Sequence, residues 1–145
     1  MTAAEVLSRL AKATRAEVTV RSEAGVGHGH GLASASWTDG SLVLAVEGTW
    51  TPAGATPAGA RPVRWRSASR WRDQEGDIAL AWQRQDVDAT VDLVRQRDQR
   101  WASRSPFDCP PDLYAAALQV ASGRVTVVWT ISGPAKQATV ETVYT

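Results

Sequence analysis

The stretch VRWRSASRWR, residues 63–72, alternates apolar or small side chains with arginines. In an extended chain, neighbouring side chains point to opposite faces, so Val63, Trp65 and Trp71 share one face. The other face carries arginines: Arg64, Arg66, Arg70 and Arg72. On a helix, six residues of separation would place the two indoles more than about 90° apart. The alternation therefore predicts a strand with one apolar face, and the fold must cover that face.

Similar alternation recurs along most of the chain, between short turn sequences. Asp39-Gly40 is typical of a tight hairpin turn, and Glu75-Gly76, Ser122-Gly123 and Ser132-Gly133-Pro134 mark further turns. About nine short strands separated by tight turns are typical of an antiparallel sandwich or barrel. Because closure removes exposed strand edges, we predict an all-β fold, an antiparallel β-barrel of about 8–10 strands.

The chain reads as a single barrel domain over residues 1–145. A short amphipathic helix is predicted at about residues 3–14, followed by the barrel from about residue 16 to 145. The repeat TPAGATPAGA, residues 51–60, is too rich in proline and glycine for a strand and predicts a flexible loop. The segment from Arg95 to Pro111 is predicted to be a polar connection.

Charge and cysteine content exclude several classes of protein. Sixteen basic and 15 acidic residues give a net charge of +1, so no strong field favours nucleic acid or an anionic membrane as a partner. The single cysteine, Cys109, excludes an internal disulfide. No apolar run reaches the ~20 residues of a membrane span, and the N-terminus lacks a signal-peptide pattern. We expect a cytoplasmic protein with no nucleic-acid or membrane partner; the sequence is compatible with a homodimer.

Seven tryptophans against one phenylalanine and two tyrosines are the most unusual feature of the composition. Alternation places four of them on apolar strand faces: Trp65, Trp71, Trp82 and Trp129. With small residues such as Ser67 and Ser69 between them, these indoles are predicted to line a partly open cavity. Such a cavity suits a small hydrophobic or aromatic molecule, or a short peptide. In the alternative assignment, Arg64, Arg66 and Arg70 point inward and clamp a carboxylate or phosphate.

The C-terminal third carries a more distinctive pattern. CPPDLYAAALQV (109–120) followed by VVWTISGPAKQ (127–137) resembles the DUF6314 family of small bacterial proteins, over roughly residues 35–145. The matching residues are Cys109, Asp112, Tyr114, Trp129, Gly133, Pro134 and Lys136. The resemblance implies a lipocalin-like barrel and supplies no activity. Phe107 and the segment QRQDVDAT (83–90) stand where the family pattern has histidines, which implies that any chemistry of those histidines is lost here.

Candidate catalytic and metal-binding residues are few. Asp112, Tyr114 and Lys136 could act as general acid and base in a cyclase or isomerase, or form a hydrogen-bonded bracket between the last strands. His28 and His30 have the spacing of a metal-binding pair, but their glycine-rich surroundings suggest a mobile loop with an incidental role.

Cys109 fits a small buried hydrophobe better than a nucleophile. We expect no cofactor. Three functions stay open: a ligand-binding barrel that serves a biosynthetic pathway, an enzyme on the same scaffold, and a structural or interaction protein with a filled barrel.

Overall fold

A computed structural model describes residues 1–54, 61–84 and 87–145, with only the backbone of Arg84. Residues 55–60 of the predicted loop lie outside this described part, whereas Thr51 belongs to a strand. Within the described residues, the elements are one helix and eleven strands: α1 (Ala3–Leu10), β1 (Arg15–Ser22), β2 (Gly25–Thr38), β3 (Ser41–Thr51), β4 (Val63–Gln74), β5 (Asp77–Arg84), β6 (Val87–Arg95), β7 (Arg100–Ser103), β8 (Phe107–Cys109), β9 (Asp112–Ala121), β10 (Arg124–Gly133) and β11 (Lys136–Tyr144).

Antiparallel pairing closes ten of these strands into a barrel. Strands β1 to β7 pair in chain order, β7 pairs with β9, and β9 continues through β10 to β11. The first and last strands then pair with each other, from Ala16 opposite Tyr144 to Ser22 opposite Ala138. In the described part of the chain, β8 pairs with β9 alone. The prediction of an all-β, lipocalin-like antiparallel barrel of about 8–10 strands is confirmed.

Tight turns mark one end of the barrel, which we name the helix end. Asp39 and Gly40 have φ values of 50° and 76°, and positive φ at both central residues is the geometry of a type I′ hairpin. Glu75-Gly76 and Ser122-Gly123 also have positive φ at both residues. Strand β1 begins at this end. The opposite end, which we name the open end, holds the connections from β1 to β2, β3 to β4 and β10 to β11.

Helix α1 packs against β4 and β10, and its apolar face covers the helix end. Its residues Val6, Leu7 and Leu10 are at most 2% exposed. A capping box fixes the helix start, because Thr2 Oγ1 accepts from the Glu5 N–H at 3.2 Å and Glu5 Oε2 accepts from the Thr2 N–H at 2.6 Å. The helix ends at Leu10, four residues before the predicted boundary.

The interior near the helix end is densely packed. Trp71 is 1% exposed, and its Nε1–H donates to Ser69 Oγ at 2.8 Å. Burial raises the pKa of Tyr144, and a hydrogen bond with Ser69 partly opposes that rise. Leu42 and Ile78 are fully buried. Ser69 therefore supplies the hydrogen-bond partner that two large buried side chains require.

The predicted polar connection over residues 95–111 is wrong, because it contains β7 and β8. Trp101 of β7 is 1% exposed and is part of the core. At Ser103, where this strand ends, the side chain takes the place of a backbone partner for β9. Its Oγ donates to Ala116 O at 3.1 Å and accepts from Ala116 N–H at 3.0 Å. A four-residue strand with one large apolar residue is too short for alternation to appear in the sequence.

Candidate functional site

Strand β4 places its tryptophans inside the barrel and its arginines outside. Trp65 is half-buried and Trp71 fully buried. The alternative in which Arg64, Arg66 and Arg70 point inward is wrong, because all three are exposed to solvent. This arrangement follows from the alternation, since the apolar face of the strand must be the one that is buried.

A first pair of indoles, Trp50 and Trp65, lies over glycines of β2 near the open end. Both residues point inward and are half-buried. A Cβ on Gly29 would lie 2.8 Å from Trp50 Cε3 and 3.0 Å from Trp65 Nε1, and one on Gly27 would lie 2.5 Å from Trp50 Cζ2. The two indoles therefore occupy the volume that side chains at these positions would need, which explains the glycines.

The same glycine-rich segment places its histidines outside. His28 and His30 alternate with the glycines of β2 and are exposed, with Thr49 Oγ1 3.5 Å from His30 Nε2. The segment is thus part of a long strand, and the suggested mobile loop is wrong. Among the residues that the structure describes, no group of three metal-ligating side chains occurs.

A second pair of indoles, Trp82 and Trp129, is stacked. Their ring centroids are 5.1 Å apart with an interplanar angle of 20°, close to the offset stacking that aromatic rings prefer. Trp129 is 3% exposed, whereas Trp82 is half-buried. Trp82 is two residues from the end of β5 at the open end.

The four tryptophans Trp50, Trp65, Trp82 and Trp129, here named the indole cluster, point inward, and all except the buried Trp129 are half-buried toward the open end. Trp65 Nε1–H donates to Thr49 O at 2.9 Å, so its one polar group is satisfied. Three further inward-facing residues near this end are apolar and half-buried: Val20, Val87 and Ala138. Half-buried indoles beside such residues can stack against a flat apolar molecule.

The three candidate acid–base residues lie toward the open end, at or near the starts of β9 and β11. Tyr114 points inward, is 4% exposed, and makes an edge contact with Phe107 at 6.3 Å between centroids. The Asp112 carboxylate lies against Gly133, where a Cβ would collide with it. Lys136 is exposed, and in the described residues it forms no ion pair with Asp112. Cys109 is a half-buried free thiol.

The sequence pattern of the family of unknown function DUF6314 matches residues 11–145. The chain belongs to this family. The match extends well beyond the roughly 35–145 of the sequence resemblance and includes β1 and β2. No curated protein matches the chain. Among the described residues, no helix has the length and apolar character needed to cross a bilayer.

Sequence reasoning missed Trp50 as a member of the indole cluster. The signal was the run of glycines at every second position, Gly25, Gly27, Gly29 and Gly31. Glycines on one face of a strand indicate that something large approaches that face closely. Only the pairing of β2 with β3, which sets Gly29 opposite Trp50, identifies the approaching group.

Proposed function

We propose that this protein binds a small, flat hydrophobic or aromatic molecule at the open end of the barrel, against the indole cluster. The observation that carries the proposal is a difference in exposure. Trp71 and Trp101, deeper in the barrel, are 1% exposed, whereas Trp50, Trp65 and Trp82 point inward and remain half-buried. Water that contacts these rings would be released by a bound apolar molecule, which favours binding.

Support for aromatic ligands in particular comes from the stacked pair. Trp82 keeps one ring face against Trp129, so its orientation is set before a ligand arrives and little side-chain freedom is lost on binding. Trp65 is similarly held by its hydrogen bond to Thr49 O. Pre-oriented rings favour a rigid, flat partner over a flexible chain, which would lose more conformational entropy.

The neutral fluorescent probe 1-aminoanthracene tests the proposal. We expect saturable binding to the wild-type protein, with energy transfer from tryptophan to the probe. Trp82→Ala should weaken binding about tenfold or more, since each 1.4 kcal/mol of lost contact is a factor of ten. Trp37→Ala is the matched control, because Trp37 is 57% exposed in the β2–β3 hairpin at the helix end.

Two outcomes would contradict the proposal. Equal affinity in the Trp82→Ala and wild-type proteins would place the probe elsewhere. Absence of saturable binding, together with tryptophan emission that no apolar probe quenches, would favour a barrel whose interior is filled and which acts through its outer surface.

A further inference from the structure

A groove of about 470 Å³ crosses the outer wall of the barrel, away from the indole cluster. Its floor is the outward face of β4, β5 and β6, and residues 105–108 form one wall. Ala79 and Ala81 lie in the floor. Their small side chains leave the space that larger residues would fill on an outward sheet face. Arg104 Nη2 contacts Asp77 Oδ2 at 2.7 Å, which ties the start of the 105–108 wall to β5.

Opposite charges face each other across this floor. Arg72 pairs with Ala79, and Ala79 pairs with Asp92, so the arginine and the aspartate flank one alanine. Two strand spacings separate their Cα atoms by about 10 Å. Arg70 extends the positive side, and Asp108 lies on the opposite wall.

These groups are within mutual reach but do not pair. Among the described residues, neither arginine forms an ion pair, and neither do the two aspartates. All four side chains are exposed. The groove therefore presents two cationic groups on one side and two anionic groups on the other, each with free hydrogen-bonding capacity.

The edge of β6 adds backbone groups to the groove. Among the described residues, β6 pairs with β7 only over its last three residues, and beyond them one backbone hydrogen bond runs from Arg104 N–H to Asp92 O at 2.8 Å. Backbone groups alternate in direction, so the N–H and C=O of Thr90 point to the same side as the Asp92 carbonyl. If the register of β6 with β7 is extended beyond the pair Leu93–Ser103, Pro106 lies opposite Thr90, and proline has no N–H to donate. In the described part of the chain, no strand pairs with Thr90 on that side.

We propose that this groove binds a zwitterionic small molecule of the amino-acid or short-peptide class. Its carboxylate would accept hydrogen bonds from Arg70 and Arg72, and its ammonium group would donate to Asp92 or Asp108. The backbone of Thr90 suits a peptide amide, and Pro106 provides an apolar contact for a side chain. The aspartates would repel a purely anionic ligand, and the arginines would repel a purely cationic one. The proposal is independent of ligand binding at the indole cluster.

Isothermal titration with the dipeptide L-alanyl-L-phenylalanine tests this site. We expect saturable binding to wild-type protein, and a loss of about tenfold or more in affinity when either charged end of the dipeptide is removed by acetylation or amidation. Arg72→Gln and Asp92→Asn should each cause a similar loss. Arg64→Gln is the matched control, since Arg64 is exposed on the same face of β4 but lies outside the groove.

The outcomes separate this proposal from the one for the open end. Trp82→Ala should bind the dipeptide as the wild type does, and Arg72→Gln should bind 1-aminoanthracene as the wild type does. The proposal is overturned if wild-type protein shows no saturable binding of the dipeptide, if the capped dipeptides bind equally well, or if Arg72→Gln retains full affinity.

Discussion

The helix end and the open end of the barrel both contain inward-facing tryptophans, but they bury them to different extents. At the helix end, α1 covers the opening and Trp71 is fully buried with its N–H bonded to Ser69. At the open end no helix of the described residues covers Trp50 and Trp65, and both stay half-buried. The two environments lie on one strand, because Trp65 and Trp71 both belong to β4. Alternation decides which face of a strand is buried, while the neighbouring elements decide how deeply.

This difference divides the tryptophans by role. A fully buried indole stabilises the fold through contacts on all sides, and its removal leaves a cavity. A half-buried indole contributes less to folding and keeps surface free for a partner. Under the proposed function, the same residue type serves the core at one end and a binding site at the other.

The largest expected effect comes from removing a core tryptophan. Trp71→Ala should lower the free energy of unfolding by about 3–5 kcal/mol, since it creates a cavity and removes the partner of Ser69. Trp65→Ala should cost clearly less, because part of its ring already contacts water. Urea unfolding followed by circular dichroism measures both, and equal costs would contradict the difference between the two ends.

Substitution of Gly29, at the open end, should have the next largest effect. Gly29→Ala should lower the free energy of unfolding by about 1–3 kcal/mol, because its Cβ would displace Trp50 or Trp65. His30→Ala, one residue further on the opposite face, should change it by less than about 0.5 kcal/mol. If the glycine variant is as stable as the histidine variant, the indoles do not pack against β2.

Much of the fold could be predicted from the sequence, because the signals that specify it are local. Period-two alternation and positive-φ turn residues such as Asp39-Gly40 act locally, and each specifies one strand or one hairpin. They predicted the strand type, several tight turns and the apolar face of β4, but left open whether that face points inward. The short strand around Trp101 was missed because four residues among charged neighbours carry too little periodic signal.

The candidate site was harder to predict from the sequence, because it depends on which strands become neighbours. The contact of Trp82 with Trp129 joins residues far apart in sequence. The outer groove requires the lateral order Arg72, Ala79, Asp92, which only the strand register supplies. No local pattern in the chain contains that information.

The smallest effect concerns pH and the helix end. Burial raises the pKa of Tyr144 above its unfolded value, so its contribution to stability is complete below about pH 10 and is lost as pH rises through the raised value. Tyr144→Phe should cost about 1 kcal/mol near neutral pH through the lost hydrogen bond to Ser69. It should also lose less stability than the wild type between about pH 8 and about pH 11. Parallel alkaline losses in both proteins would show that Tyr144 does not titrate in the core.

The most direct test of ligand binding at the open end is a ¹H–¹⁵N spectrum of the indole N–H groups during titration with 1-aminoanthracene. Seven tryptophans give seven signals to assign, one from each Trp→Phe variant. We expect saturable shifts of the Trp65 and Trp82 signals, with those of Trp37 and Trp71 unchanged. Shifts confined to Trp37, or no saturable shift of any indole, would contradict the assignment of the open end as a binding site.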